Sequence, residues 1–162
     1  MDGYRYATPE LQYLIMNVMG LGILMIQRLP VVVVIGAGWS TPTRSIGQQL
    51  QRLFCTGKDH YIKGVHVVGM SVDNEPHDYR IFRDDIMQWA TATMHFDNHE
   101  WGIDLMDNLG LTNIPCVVVL SMISNKLAVM EMDGTCNMVG YIQKCLDRED
   151  DEGCRRCLLK RP

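Results

Sequence analysis

A single α/β domain, a mixed central sheet with helices on both faces, is predicted by three features of this 162-residue sequence. Residues 31–35 are five consecutive β-branched residues, which suits a central strand covered on both faces. Strand-like runs then alternate with segments of helical periodicity, which implies parallel strands linked by crossover helices. Finally, residues 116–122 and 127–132 flank Ser124-Asn125-Lys126, a hairpin that adds antiparallel strands. The expected order is α, β, β, α, β, α, β, α, β, β, α.

The first helix follows Thr8, a good cap, and Pro9, suited to a first turn. Leu11, Leu14, Ile15, Val18 and Met19 give it one apolar stripe, and Gly20 and Gly22 end it. Residues 23–26 read as a short strand ahead of the central one. The loop Gly36-Ala37-Gly38-Trp39 leads to Ser40, which caps a second helix with Pro42 in its first turn. Ile46, Leu50, Leu53 and Phe54 form the inner stripe of that helix. Residues 65–72 are the next strand and 73–76 a turn. The helix that follows runs to about Trp89 and turns Tyr79, Phe82 and Ile86 inward. Residues 94–96 read as a short strand, 97–100 as a loop, and 101–109 as a helix stopped by Gly110. After the hairpin, Asp133-Gly134 is a turn. Met138, Tyr141, Ile142, Cys145 and Leu146 mark a last helix.

Hydrophobic residues make up 47% of the chain and charged residues 21%, which fits a soluble globular protein and argues against wholesale disorder. The net charge of −4 argues against nucleic-acid binding by bulk electrostatics. Six scattered cysteines do not make a disulfide scaffold, so a reducing compartment, the cytoplasm, is expected. The apolar stretch at 11–26 is interrupted by Asn17 and closed by Gln27, Arg28 and Pro30, so buried structure is expected there, not a membrane span or signal. The expected division is one domain over 1–146, with 1–30 as a helical extension, and a charged tail over 147–162.

The segment from Val31 to Phe54 carries a resemblance. Trp39-Ser40-Thr41-Pro42-Thr43-Arg44 is similar to the Trp-Cys-Pro-Pro-Cys-Arg of the nucleoredoxin and tryparedoxin branch of the thioredoxin superfamily. The Trp, second Pro and Arg stand in place, and both cysteines are replaced. Residues 67–75 resemble that branch's strand ending in Ser-x-Asp-Glu or Ser-x-Asp-Asn. Residues 94–97 resemble its Leu-Pro-Phe-Asp, and residues 109–115 its Phe-Gly-Val-x-x-Ile-Pro. Together these landmarks span about residues 31–146. The resemblance implies a thioredoxin-like fold, with residues 116–120 antiparallel to the central strand and a cis bond between Ile114 and Pro115.

The departures bear on chemistry. Thiol–disulfide exchange needs an attacking thiolate and a resolving thiol. Ser40 and Thr43 occupy those positions, and neither hydroxyl forms a disulfide. As a hydrolytic nucleophile Ser40 lacks a flanking His or Asp, so it reads as a helix cap. Cys116 follows the turn proline and should face the core, as should Cys55 and Cys145, while Cys136 falls in a turn. Cys154-Arg155-Arg156-Cys157 is a Cys-x-x-Cys in the tail, whose arginines would lower a thiol pKa. It has no strand-to-helix context, and no second pair completes a zinc site. His95 and His99 are four apart, but on a strand and a loop that spacing does not chelate. No metal or cofactor is expected. Twelve methionines suit the core at Met19, Met25, Met70, Met106 and Met130, and mildly favour a binding protein.

Two functions follow. The first is a redox-inactive, tryparedoxin-like protein that serves as a non-catalytic binding or structural subunit of a larger protein assembly, cytoskeletal or another large complex. Trp39, Pro42, Arg44 and Pro115 would keep the branch's docking surface. Tyr4, Tyr6, Tyr13 and Met16 lie off the first helix's stripe and form a second expected contact. The alternative is a thiol–disulfide oxidoreductase using Cys154 and Cys157.

Overall fold

The computed structural model describes residues 4–25, 30–56, 61–62 and 65–133. At its centre β2 (Val31–Gly36) is buried along its whole length. It runs parallel to β5 (His66–Ser71), with Val33 opposite Val68, and antiparallel to β7 (Cys116–Ile123), with Val33 opposite Val118. β7 turns through Ser124 and Asn125, both at positive φ, into β8 (Lys126–Asp133). The two edges are short: β1 (Arg5–Tyr6) pairs with β8, and β6 (Ala92–Thr93) pairs with β5. The six-stranded order is β1-β8-β7-β2-β5-β6.

Strand alternation sends the β-branched residues to two separate cores. Val32, Val34, Val67, Val117 and Val119 meet Leu50 and Phe54 of α3 (Thr41–Phe54), and Phe82 and Ile86 beyond α4 (Pro76–Ile81). Val31, Val33, Ile35, Val68 and Val118 meet Leu11 of α1 (Pro9–Tyr13), Met25 of α2 (Gly22–Met25), and Leu105 and Leu109 of α5 (Glu100–Leu109). The expected mixed sheet, covered on both faces, is therefore present. The Ile114–Pro115 bond is cis, and Gly110 ends α5 at φ 72°.

Several expectations are corrected. Of the strand expected at 23–26, residue 26 lies outside the described residues and 23–25 are helical: the Leu24 and Met25 N–H groups donate to the Leu21 carbonyl, and α2 forms. A four-residue apolar run has no period to decide between the two, and here Leu21 and Met25, one turn apart, share one core. α1 continues as a π turn over Leu14–Val18, which leaves Val18 exposed although the stripe places it inward. The strand expected at 94–96 sits earlier, at β6. The Met94 N–H donates to Gly69, and then His95 caps a 3-10 turn (Phe96–Asn98), its Nδ1 accepting the Asp97 N–H at 3.1 Å. α3 ends in a small hairpin, β3 (Cys55–Thr56) with β4 (Tyr61–Ile62), that the sequence does not announce.

Residues 4–25 pack into the sheet and its cores. Tyr4 lies in the core, β1 completes the sheet edge, and α1 and α2 cover one face. The last helix expected at 138–146, the tail at 147–162, and Cys136, Cys145, Cys154 and Cys157 lie outside the described residues. No helix among the described residues is long and apolar enough to cross a membrane.

Candidate functional site

The loop after β2 opens onto α3, and Ser40 starts the helix. Its backbone is extended, and its Oγ accepts the Thr43 N–H at 3.2 Å, satisfying one of the N–H groups a helix start leaves bare. Thr43 is fully buried, and its Oγ1 accepts the Ala37 N–H at 3.3 Å. Gly36 makes room for it, since a Cβ there would lie 2.4 Å from Thr43 Cγ2. Both hydroxyls are thus spent on holding the loop to the helix. Among the described residues neither is hydrogen-bonded to a histidine or carboxylate that would activate it for attack.

The outer side of the loop is different. Trp39 is 65% exposed, and Pro42 beside it is exposed as well. Arg44 is half-buried, and its N–H continues the helix to the Ser40 carbonyl at 3.1 Å. Pro115 lies at the same end of the sheet, because Cys116 pairs with Ile35 near the end of β2. Pro115 is buried, however, so it shapes this end of the molecule without presenting a surface. A cleft of about 380 Å³ opens nearby, lined by Val72, Ile103, Met106, Asp107, Leu111, Thr112 and Ile114.

Residues 71–73, the Ser-x-Asp that leads into the turn at 73–76, hold a polar group behind the loop whose role no local pattern announces. Asp73 is 3% exposed. Its Oδ2 accepts the Gly38 N–H at 2.9 Å and the Ser71 hydroxyl, and the Asp73 N–H donates to Ser71 Oγ at 2.9 Å. The Ser-x-Asp spelling at the end of a buried strand was the available signal. Its partner Gly38, 35 residues earlier, was not readable.

Of the second expected contact, Tyr6 and Tyr13 are exposed. Tyr4 is not: at 6% exposed it packs with Val117, Ala128 and Met130, because β1 carries it onto the sheet. Met16 is likewise drawn against the core. Cys116 is buried as expected. Cys55 is half-buried at the end of α3, and burial pushes its thiol pKa up, away from thiolate reactivity. Met19, Met25, Met70, Met106 and Met130 are all buried. His99 does not pair with His95; its ring stacks on Phe96 at 5.2 Å.

A loop between a buried β2 and a capped α3, closed by a cis-proline turn before an antiparallel β7, defines a thioredoxin-like protein. A thioredoxin-like family model matches residues 29–126, and the chain belongs to that family. Native tryparedoxin I from Crithidia fasciculata has the same fold, with a TM-score of 0.55 at 19% identity over 80% of this chain and 81% of that one. Tryparedoxin I from Leishmania major gives 0.55 at 17% identity over 78% and 81%. The thioredoxin domain of a thiol-disulfide oxidoreductase from Bacteroides vulgatus gives 0.52 at 14% identity over 75% and 82%. No curated protein matches the chain.

Proposed function

We propose that this chain is a redox-inactive, tryparedoxin-like protein that works as a non-catalytic subunit of a larger protein assembly in the reducing cytoplasm, docking through the Trp39 face. One contrast supports the reading: the hydroxyls of Ser40 and Thr43 are turned inward to hold the fold, while Trp39 is left 65% exposed. Stability does not require an exposed indole, and tryptophan is the residue most enriched among binding anchors. Tyr13 and Ile23, exposed on the N-terminal helices, are a second contact.

The competing reading is a thiol–disulfide oxidoreductase that uses Cys154 and Cys157, favoured by the two arginines between them. Two measurements separate them. Insulin reduction by the purified protein should be at background, with or without a Cys154→Ser, Cys157→Ser double substitution. In native extracts the protein should sediment with an assembly far larger than itself, and Trp39→Ala should return it to the monomer fraction. Reductase activity lost with the tail thiols would establish the alternative. Sedimentation unchanged by Trp39→Ala would move the contact elsewhere.

A further inference from the structure

Asp73 is a carboxylate where the fold itself asks for none. It follows β5 by two residues and is 3% exposed. Among the described residues no cation is ion-paired with it. Its Oδ1 is buried and has no hydrogen-bond partner among the described residues. A buried polar atom left bare is costly, so an apolar residue would make a more stable strand end. The other oxygen, Oδ2, shows what that cost secures. It takes the Gly38 N–H at 2.9 Å and the Ser71 hydroxyl, while Ser71 Oγ takes the Asp73 N–H at 2.9 Å and so orients the carboxylate.

Gly38 is held from its other side too. A Cβ on it would lie 1.9 Å from the Asp78 carbonyl oxygen, so its backbone is seated directly on the first turn of α4. Val72, between the two polar residues, donates its N–H to the Gly36 carbonyl at 2.9 Å and ties the same loop to β5 once more. The residue after this clamp is Trp39.

We propose that Ser71 and Asp73 form a latch that fixes the Gly38 backbone and thereby presents Trp39 as a rigid docking anchor. Asp73 is a positioning residue: it touches no partner and acts through Gly38. The anchor half rests on the docking role of Trp39 proposed above, and the latch half does not. An anchor ordered before contact does not lose conformational freedom on binding, which is how a single exposed indole gains affinity.

Amide hydrogen exchange by NMR tests the latch in the free, full-length protein. The Gly38 N–H should be protected although it lies in a loop beside an exposed residue. Asp73→Ala should speed its exchange by about tenfold or more, the loss expected for a hydrogen bond to a carboxylate, with Val33 in β2 unchanged. Asp73→Asn keeps one oxygen to accept both hydrogens and should restore protection. Trp39→Ala, outside the latch, should leave Gly38 protected. If Asp73→Ala does not fold, Ser71→Ala decides, since loss of the orienting hydroxyl should also speed Gly38 exchange. An unprotected Gly38 in the unmodified protein, or one indifferent to these substitutions, overturns the latch. A loosened Gly38 with unaltered sedimentation of the native assembly upholds the latch and overturns the anchor.

Discussion

An alanine at Gly38 would put its Cβ 1.9 Å from a backbone oxygen, where no side chain can swing aside. Gly38→Ala should therefore lower stability by about 3 kcal/mol, the upper end of overpacking, read from urea unfolding. Gly110→Ala meets open space, and only its φ of 72° opposes it, so about 1 kcal/mol is expected. Ser40→Ala removes a cap and should cost about 1 kcal/mol without affecting any redox assay. Cys55 tests local electrostatics. Burial raises its pKa, so less of it is thiolate at pH 8 than of a free cysteine. Iodoacetamide labelling followed by peptide mass mapping should find it slower than the same residue in the urea-unfolded chain, with the gap closing as pH rises through its raised pKa.

Elements follow their periodicity where one face meets one core. α3 does so: Leu50 and Phe54 are buried where the stripe put them, and Leu50→Ala should cost about 2–5 kcal/mol. α1 does not, because the π turn over Leu14–Val18 rotates its second half. Ile15→Ala should cost about 2–5 kcal/mol, and Val18→Ser within about 0.5 kcal/mol, although both lie on the same stripe in the sequence. The junction of β2 with α3 keeps the geometry that lowers a thiol pKa, a residue at the head of a helix. Ser40→Cys with Thr43→Cys should thus create a pair that oxidises to a disulfide and reduces insulin above background. Thr43→Cys alone gives up the Oγ1 acceptor for the Ala37 N–H, a loss of about 1 kcal/mol.

At the scale of the molecule the N-terminal segment belongs to the sheet and its core. Deleting residues 1–8 would remove buried Tyr4, strand β1 and the Thr8 side chain that caps α1 by accepting the Leu11 N–H at 3.2 Å. Tyr4 alone is worth about 3 kcal/mol by aromatic truncation, so this deletion should lower Tm by several degrees or more. The N-terminus is thus a poor place to test partner binding by truncation, and Tyr13 and Ile23 substitutions are the better probe.

The sequence by itself determined the layers of this molecule. Five consecutive β-branched residues at 31–35 favour a strand covered on both faces, and the apolar runs at 116–120 and 127–130 on either side of a turn signal a buried hairpin. Those signals are local, because a strand or helix repeats its facing every two or 3.6 residues. The motif around Trp39 was legible only through its resemblance to the Trp-Cys-Pro-Pro-Cys-Arg of the tryparedoxin branch. What tertiary structure decided were the meetings of distant residues: Tyr4 carried inward by pairing with β8, Val18 turned outward by a π turn, and Gly38 caught between Asp73 and Asp78. A hydrogen bond across 35 residues leaves no period in the chain. It exists only once the sheet has set the end of β2 beside the end of β5, and there the hydrogen-bonding needs of a buried carboxylate, not the hydrophobic pattern, choose the partner.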